Sequence, residues 1–254
     1  MFNIDISRKA YNYFSQRVLR DKNIRHYSPS LIYSKEDANP SRKLIELIIK
    51  SLELASKIHL TCGNPNLPDG QFLNVFPGEH YRLLNAIVKA GGAKNVVEIG
   101  TFTGMGTLAL QEGIDDISVI TYDIIEYNNL HCPSHFKNSD IDGKRITQIV
   151  GDLSNDDFFS KNLGILNAAE IIFMDAPKDN IFEYKMAEKF SKLSTSNKPK
   201  YLIIDDIQFI NMIDFWRAII SPKLDITSFG HWSGTGIVDI SNGFKFNFEK
   251  ISVF

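Results

Sequence analysis

From residue 95 onward the chain alternates short apolar runs with segments of helical spacing. The runs cover 95–99, 117–122, 146–150, 171–174 and 201–204, and helical patterns between them include 105–112, 180–193 and 209–220. Such alternation predicts βαβ units. The expected fold is α/β: a Rossmann-like, doubly wound, mostly parallel sheet with helices on both faces. Runs at 226–229, 236–240 and 244–254 predict antiparallel strands that finish the sheet. Before residue 95 the pattern is helical. One helix is expected over 7–19, another over 41–59 with Leu44, Ile48, Leu52 and Ala55 on one face, and a third over 78–90. The stretch 62–70 is dense in Gly, Pro, Asn and Asp and predicts a loop. Residues 1–70 are thus expected as an N-terminal helical extension, a lid or a homodimer contact, ahead of a domain over 71–254.

Composition narrows the class of protein. A chain of 254 residues with 43% hydrophobic and 23% charged residues has the make-up of a globular protein, not of a disordered or coiled-coil one. Its net charge of −2 carries no basic excess, so no nucleic-acid partner is expected. Cys62 and Cys132 lie far apart without CxxC spacing, which suggests reduced thiols and no zinc site. The N-terminus lacks a targeting pattern, and no run approaches the ~18 apolar residues of a membrane span. The expectation is a cytoplasmic protein with no membrane partner.

Candidate chemistry gathers at the ends of the predicted strands. Glu98-Ile99-Gly100-Thr101-Phe102-Thr103-Gly104 is a strand running into a glycine turn that opens a helix. Gly100 permits a sharp turn and close approach of a ligand to the backbone. Phe102 stands where a dinucleotide fingerprint wants glycine, which argues against a pyrophosphate on the loop. Acids then follow at strand ends: Asp123, Asp152, Asp175 and the pair Asp205-Asp206. Ligands of open parallel sheets bind beyond the carboxyl ends of the strands, so these side chains converge on one rim. An acid after the second strand suits the two hydroxyls of a ribose.

These residues, with Gly151-Asp152 and Asp175-Ala176-Pro177-Lys178, resemble the class I S-adenosylmethionine-dependent methyltransferases. The resemblance is to the metal-dependent O-methyltransferases of the catechol and caffeoyl-CoA type, over roughly residues 71–240. It implies a fold with S-adenosyl-L-methionine bound at the glycine turn. Glu98, Gly100, Thr101, Phe102 and Gly104 would hold the methionine end, Asp123 the ribose, Asp152 with Leu153 the adenine, and Asp175 would close the site.

Asp175, Asp205 and Asp206 come from two neighbouring strand ends, and hard oxygen ligands suit Mg²⁺ or another divalent cation. In the resembled family such positions hold an ion that grips two vicinal oxygens of the acceptor. The family more often has Asp-Asn where this chain has Asp205-Asp206; a double acid resembles the enzymes that methylate macrolide sugars. Pro177 departs from the usual polar residue. Asp206 could instead cap the helix near 209. Lys178 is the expected base, its pKa lowered near a cation, or else a surface lysine. His231, in His231-Trp232-Ser233-Gly234, is an alternative base or part of a plain hairpin turn. Arg82, in His80-Tyr81-Arg82 at the start of the helix before the first strand, is expected on a solvated helix face, the alternative being closure over the cofactor carboxylate.

The expected function is methyl transfer from S-adenosylmethionine to a hydroxyl of a small molecule, a sugar, catechol or natural-product intermediate, assisted by Mg²⁺. The alternatives are a metal-independent methyltransferase of the same fold, a nicotinamide-dependent oxidoreductase, and a nucleoside-binding protein without turnover.

Overall fold

The computed structural model describes residue 32 and residues 34–250; the helix expected over 7–19 lies outside them. Among the described residues, seven strands form one sheet: β1 (Asn95–Ile99), β2 (Ser118–Asp123), β3 (Ile146–Val150), β4 (Ile171–Met174), β5 (Tyr201–Asp205), β6 (Lys223–Asp225) and β7 (Thr235–Asp239). Their order is β3-β2-β1-β4-β5-β7-β6. The first five pair in parallel, and β7 runs antiparallel between β5 and β6. Six α-helices accompany them: α1 (Arg42–Lys57), α2 (Tyr81–Gly91), α3 (Met105–Gln111), α4 (Asp156–Ala168), α5 (Ile181–Phe190) and α6 (Ile210–Ala218).

Strand alternation divides the apolar side chains between two layers. On one face Val97, Ile99, Ile172, Met174, Leu202 and Ile204 pack against Phe159 and Leu166 of α4, Phe190 of α5 and Phe215 of α6. On the other, Val96, Ile171, Phe173 and Ile203 meet Leu83, Leu84 and Ile87 of α2, with Leu44, Leu47 and Ile48 of α1 behind. Ser41 starts α1 by accepting a hydrogen bond from the Leu44 amide at 3.2 Å. The compact unit Lys35–Phe254 includes α1.

Other departures from the sequence pattern are local. The helix α4 was not anticipated; Asn155 caps it by accepting from the Phe158 amide at 3.0 Å. A short 3₁₀ helix, Gly70–Asn74, follows the loop expected over 62–70. The strand expected at 226–229 lies earlier, at Lys223–Asp225, where it can pair with β7. Residues 244–250 do not form the expected strand. Phe244 and Phe246 spend their apolar character on ring contacts with Phe190, Phe215 and Tyr184, and a 3₁₀ turn follows at Phe248–Lys250. Residues 251–254 lie outside the described part. No helix among the described residues is long and apolar enough to cross a membrane.

Candidate active site

The glycine turn folds back against the next strand end. Gly100 has φ +104°, and a β-carbon there would penetrate the Asp175 carbonyl group. The close approach is fixed by the Asp175 amide donating to Ile99 O at 2.9 Å and the Gly100 amide donating to Tyr122 O at 2.8 Å. Asp123 orders the turn: its Oδ2 accepts from the Thr101 and Phe102 amides, both at 2.9 Å, and its Oδ1 from the Ile125 amide at 3.0 Å. Phe102 adopts φ +41° with its ring 63% exposed. A bulky residue in the left-handed region and open to solvent is held by its surroundings against its own preference, as happens at binding sites.

Beside this turn lies a cleft of about 460 Å³ whose walls include Gly100, Phe102, Asp123, Asp152, Leu153 and Asp175. Its floor comes from the carboxyl ends of β1 to β4, at the switch point of the sheet. Asp152 keeps its carboxylate in place by accepting from the Ser154 amide and hydroxyl, at 2.8 and 3.0 Å.

Three of the residues assigned to the cofactor from the sequence are not in the cleft wall. Gly104 opens α3, and Thr101 turns its hydroxyl to Thr121 Oγ1 at 2.7 Å. Glu98 lies beneath the turn. It shares the strand face of Val96, so its side chain points under α3, 1% exposed, where Thr107 and Thr121 donate to Oε2. Burial pushes its carboxyl up to about 8, the two hydroxyls only partly offsetting it. Glu98 therefore supports the turn from beneath.

At the far end of the cleft the structure brings Asp175, Asp205 and Asp206 together, with one carboxylate oxygen from each lying within 4.8 Å of the others. Asp206 has φ +60° and its side chain does not cap α6, whose N-cap is Phe209. The Lys178 ammonium sits among them, 2.5 Å from Asp175 Oδ1 and 2.8 Å from Asp206 Oδ2. Burial alone would lower the lysine pKa, but with no cation beside it the two carboxylates raise it above the ordinary range. Asp175 is raised by burial and by the charge of Asp205. Asp205 is held low despite its burial, because His80 and His231 face it.

His231 Nδ1 stands 3.2 Å from Asp205 Oδ2 and 2.8 Å from Ser233 Oγ, and Ser233 in turn bonds Asp206. Burial would lower its pKa, but the facing carboxylates of Asp205 and Asp206 raise it to about 10 in this arrangement. His80 was passed over in the sequence. It is 2% exposed, at the start of α2, with Nδ1 3.2 Å from Asp205 Oδ1. No local pattern marks it, since its partner is far along the chain. Arg82 turns away from the cleft, over the Phe76 ring and toward Asn74 O.

A sheet of this order with a cleft at its carboxyl rim has the topology of the class I methyltransferases. Residues 68–205 match the O-methyltransferase family, more than half of the chain, and the chain belongs to that family. No curated protein matches it. Among solved structures it is similar to the O-methyltransferase from Bacillus cereus in complex with SAH (16% identity, 91% of this chain and 96% of that one, TM-score 0.42). It is also similar to the SAH-bound methyltransferase PaMTH1 of Podospora anserina (14% identity, 97% of each chain, TM-score 0.41). A third is MycE from the mycinamycin biosynthetic pathway, in complex with Mg and SAH (17% identity, 45% of this chain, TM-score 0.34); the chain spans only 28% of the length of MycE.

Proposed function

We propose that the chain transfers a methyl group from S-adenosylmethionine to a hydroxyl of a small molecule, a sugar, catechol or natural-product intermediate, with Mg²⁺ or a similar divalent ion held by Asp175, Asp205 and Asp206. One observation carries the metal part of this reading: three carboxylates converge beside the cleft with a lysine ammonium already placed between two of them. The ammonium stands in for a cation, and the all-oxygen donor set fits a hard one. Bound there, such an ion would lower the pKa of an acceptor hydroxyl and hold its oxygen.

The chain's own residues supply the rest. The Asp123 carboxylate at the end of β2 meets the ribose, and Asp152 with Leu153 meets the adenine. The Gly100 backbone and the Phe102 ring border the methionine end and exclude water from it. In the transfer the acceptor oxygen takes the methyl group, the sulfonium becomes a thioether, and the hydroxyl proton must leave. Lys178 Nζ is the group we assign to receive it, after a cation has drawn off Asp175 and Asp206 and the ammonium has released one proton to solvent.

Calorimetric titration of S-adenosylhomocysteine, run with Mg²⁺ and again with EDTA, tests the cofactor. Micromolar binding is expected; absence of binding in both buffers overturns the reading in favour of a different cofactor. Asp175→Asn should keep S-adenosylhomocysteine binding and lose turnover, which separates a catalyst from a binding protein.

A further inference from the structure

Asp205 faces two groups at once. Its carboxylate belongs to the acidic set with Asp175 and Asp206, and also to a set with His80 and His231 in which one ligand atom from each again lies within 4.8 Å of the others. We propose that His80, Asp205 and His231 form a second cation position, sharing Asp205 with the acidic set, that takes a borderline divalent ion such as Zn²⁺.

The geometry points to a ligand and not merely to an ion pair. His80 Nδ1 is 3.2 Å from Asp205 Oδ1 but is not aligned for a hydrogen bond, and neither ring nitrogen of this buried histidine has a hydrogen-bond partner. Asp205 Oδ1 is likewise buried without a hydrogen bond, its close contact being the 3.2 Å ion pair with His80 Nδ1. Buried polar atoms without partners are rare in native proteins, and when they converge on one point an unseen ion is the economical account. The two imidazoles approach opposite oxygens of the Asp205 carboxylate, His80 Nδ1 at 3.2 Å from Oδ1 and His231 Nδ1 at 3.2 Å from Oδ2, which places the carboxylate between two nitrogen donors.

The surroundings hold the ligands in place. The His80 ring is packed against Tyr81, Phe173 and His231. His231 turns its other nitrogen, Nε2, toward Glu79 Oε2 at 3.6 Å, the outer carboxylate that commonly orients a metal-bound imidazole. Ser233 is the competing partner of His231 Nδ1; its own proton is committed to Asp206, so it can release the nitrogen without losing that bond. Two imidazoles and one carboxylate prefer ions of the zinc and iron type, whereas three carboxylates prefer magnesium, so the two positions sort cations by donor.

The test uses the full chain freed of metal by chelation. Zn²⁺ and Mg²⁺ are titrated by calorimetry into the wild type, His80→Gln, His231→Gln and Asp175→Asn, with folding checked by circular dichroism. Zn²⁺ affinity should fall by at least about tenfold in each histidine variant and stay within about threefold in Asp175→Asn, while Mg²⁺ binding follows Asp175. Unchanged Zn²⁺ affinity in the histidine variants, or its loss on Asp175→Asn, overturns the proposal. So that the test does not depend on the folding of the buried His80→Gln variant, the wild type is also loaded with Co²⁺: intense visible bands of a four- or five-coordinate nitrogen-containing site are expected, and the weak spectrum of six-coordinate oxygen ligation overturns the proposal. S-adenosylhomocysteine binding is measured in parallel, so failure of the methyltransferase reading would show independently of zinc.

Discussion

Gly100 and Asp175 touch through their backbones: a β-carbon on the glycine would occupy space held by the Asp175 carbonyl. The glycine turn that borders the cofactor cleft and the strand end that carries the first carboxylate of the acidic set are therefore one rigid corner. Gly100→Ala would force both apart and impose φ +104° on a residue with a side chain. We expect a loss of about 3 kcal/mol of stability and no measurable S-adenosylhomocysteine binding. Thermal unfolding together with calorimetry checks this; a variant with wild-type affinity would show that the corner is not needed.

Asp123 orders the same turn from the other side by accepting the Thr101 and Phe102 amides. Asp123→Ala removes both acceptors and the carboxylate that faces the cleft. Affinity for S-adenosylhomocysteine should drop at least about tenfold, the scale of one lost charged hydrogen bond, while the fold persists. Calorimetry on the folded variant decides it.

Glu98 makes stability depend on pH. Its folded pKa of about 8 lies above the usual carboxyl value of 4.5, so the native state keeps a proton that the unfolded chain gives up. This contribution is fully present below about 4.5 and is lost as the pH rises to about 8. Glu98→Gln, which cannot ionise, should gain stability relative to wild type across that interval. Urea unfolding at several pH values measures the difference, and a flat difference would contradict the buried, protonated carboxyl.

Lys178 competes with any cation for Asp175 and Asp206. Lys178→Gln should bind Mg²⁺ more tightly than wild type by about tenfold or more, yet turn over more slowly, since the proton acceptor is gone. Weaker Mg²⁺ binding in the variant would mean that the lysine helps to build the ion site and does not merely fill it.

Much of the framework could be read from the chain because it rests on local runs. The ranges expected for β1, β3 and β4 coincide with those observed, since each is a short Val/Ile-rich segment. The acids at the strand ends were visible for the same reason, and the structure gathers three of them. What escaped depends on contacts distant in sequence or on weak periodicity. Helix α4 has a proper cap, but Lys161, Asn162 and Gly164 dilute its apolar face. His80 acquires its meaning only from Asp205, on another strand end. Glu98 was placed in the site by its neighbours along the chain, whereas strand alternation turns it beneath. The C-terminal aromatic run looked like a strand because aromatic residues favour strands, and instead caps the core with its rings.

The family match begins at residue 68, but the face of the sheet carrying Val96, Ile171 and Ile203 is closed in part by Leu44, Leu47 and Ile48 of a helix that precedes it. A fragment begun at residue 68 would retain the cleft and its acids while baring an oily flank to solvent. Such a fragment would be sticky in solution even with its chemistry intact, so the shortest well-behaved version of this enzyme has to start upstream of α1.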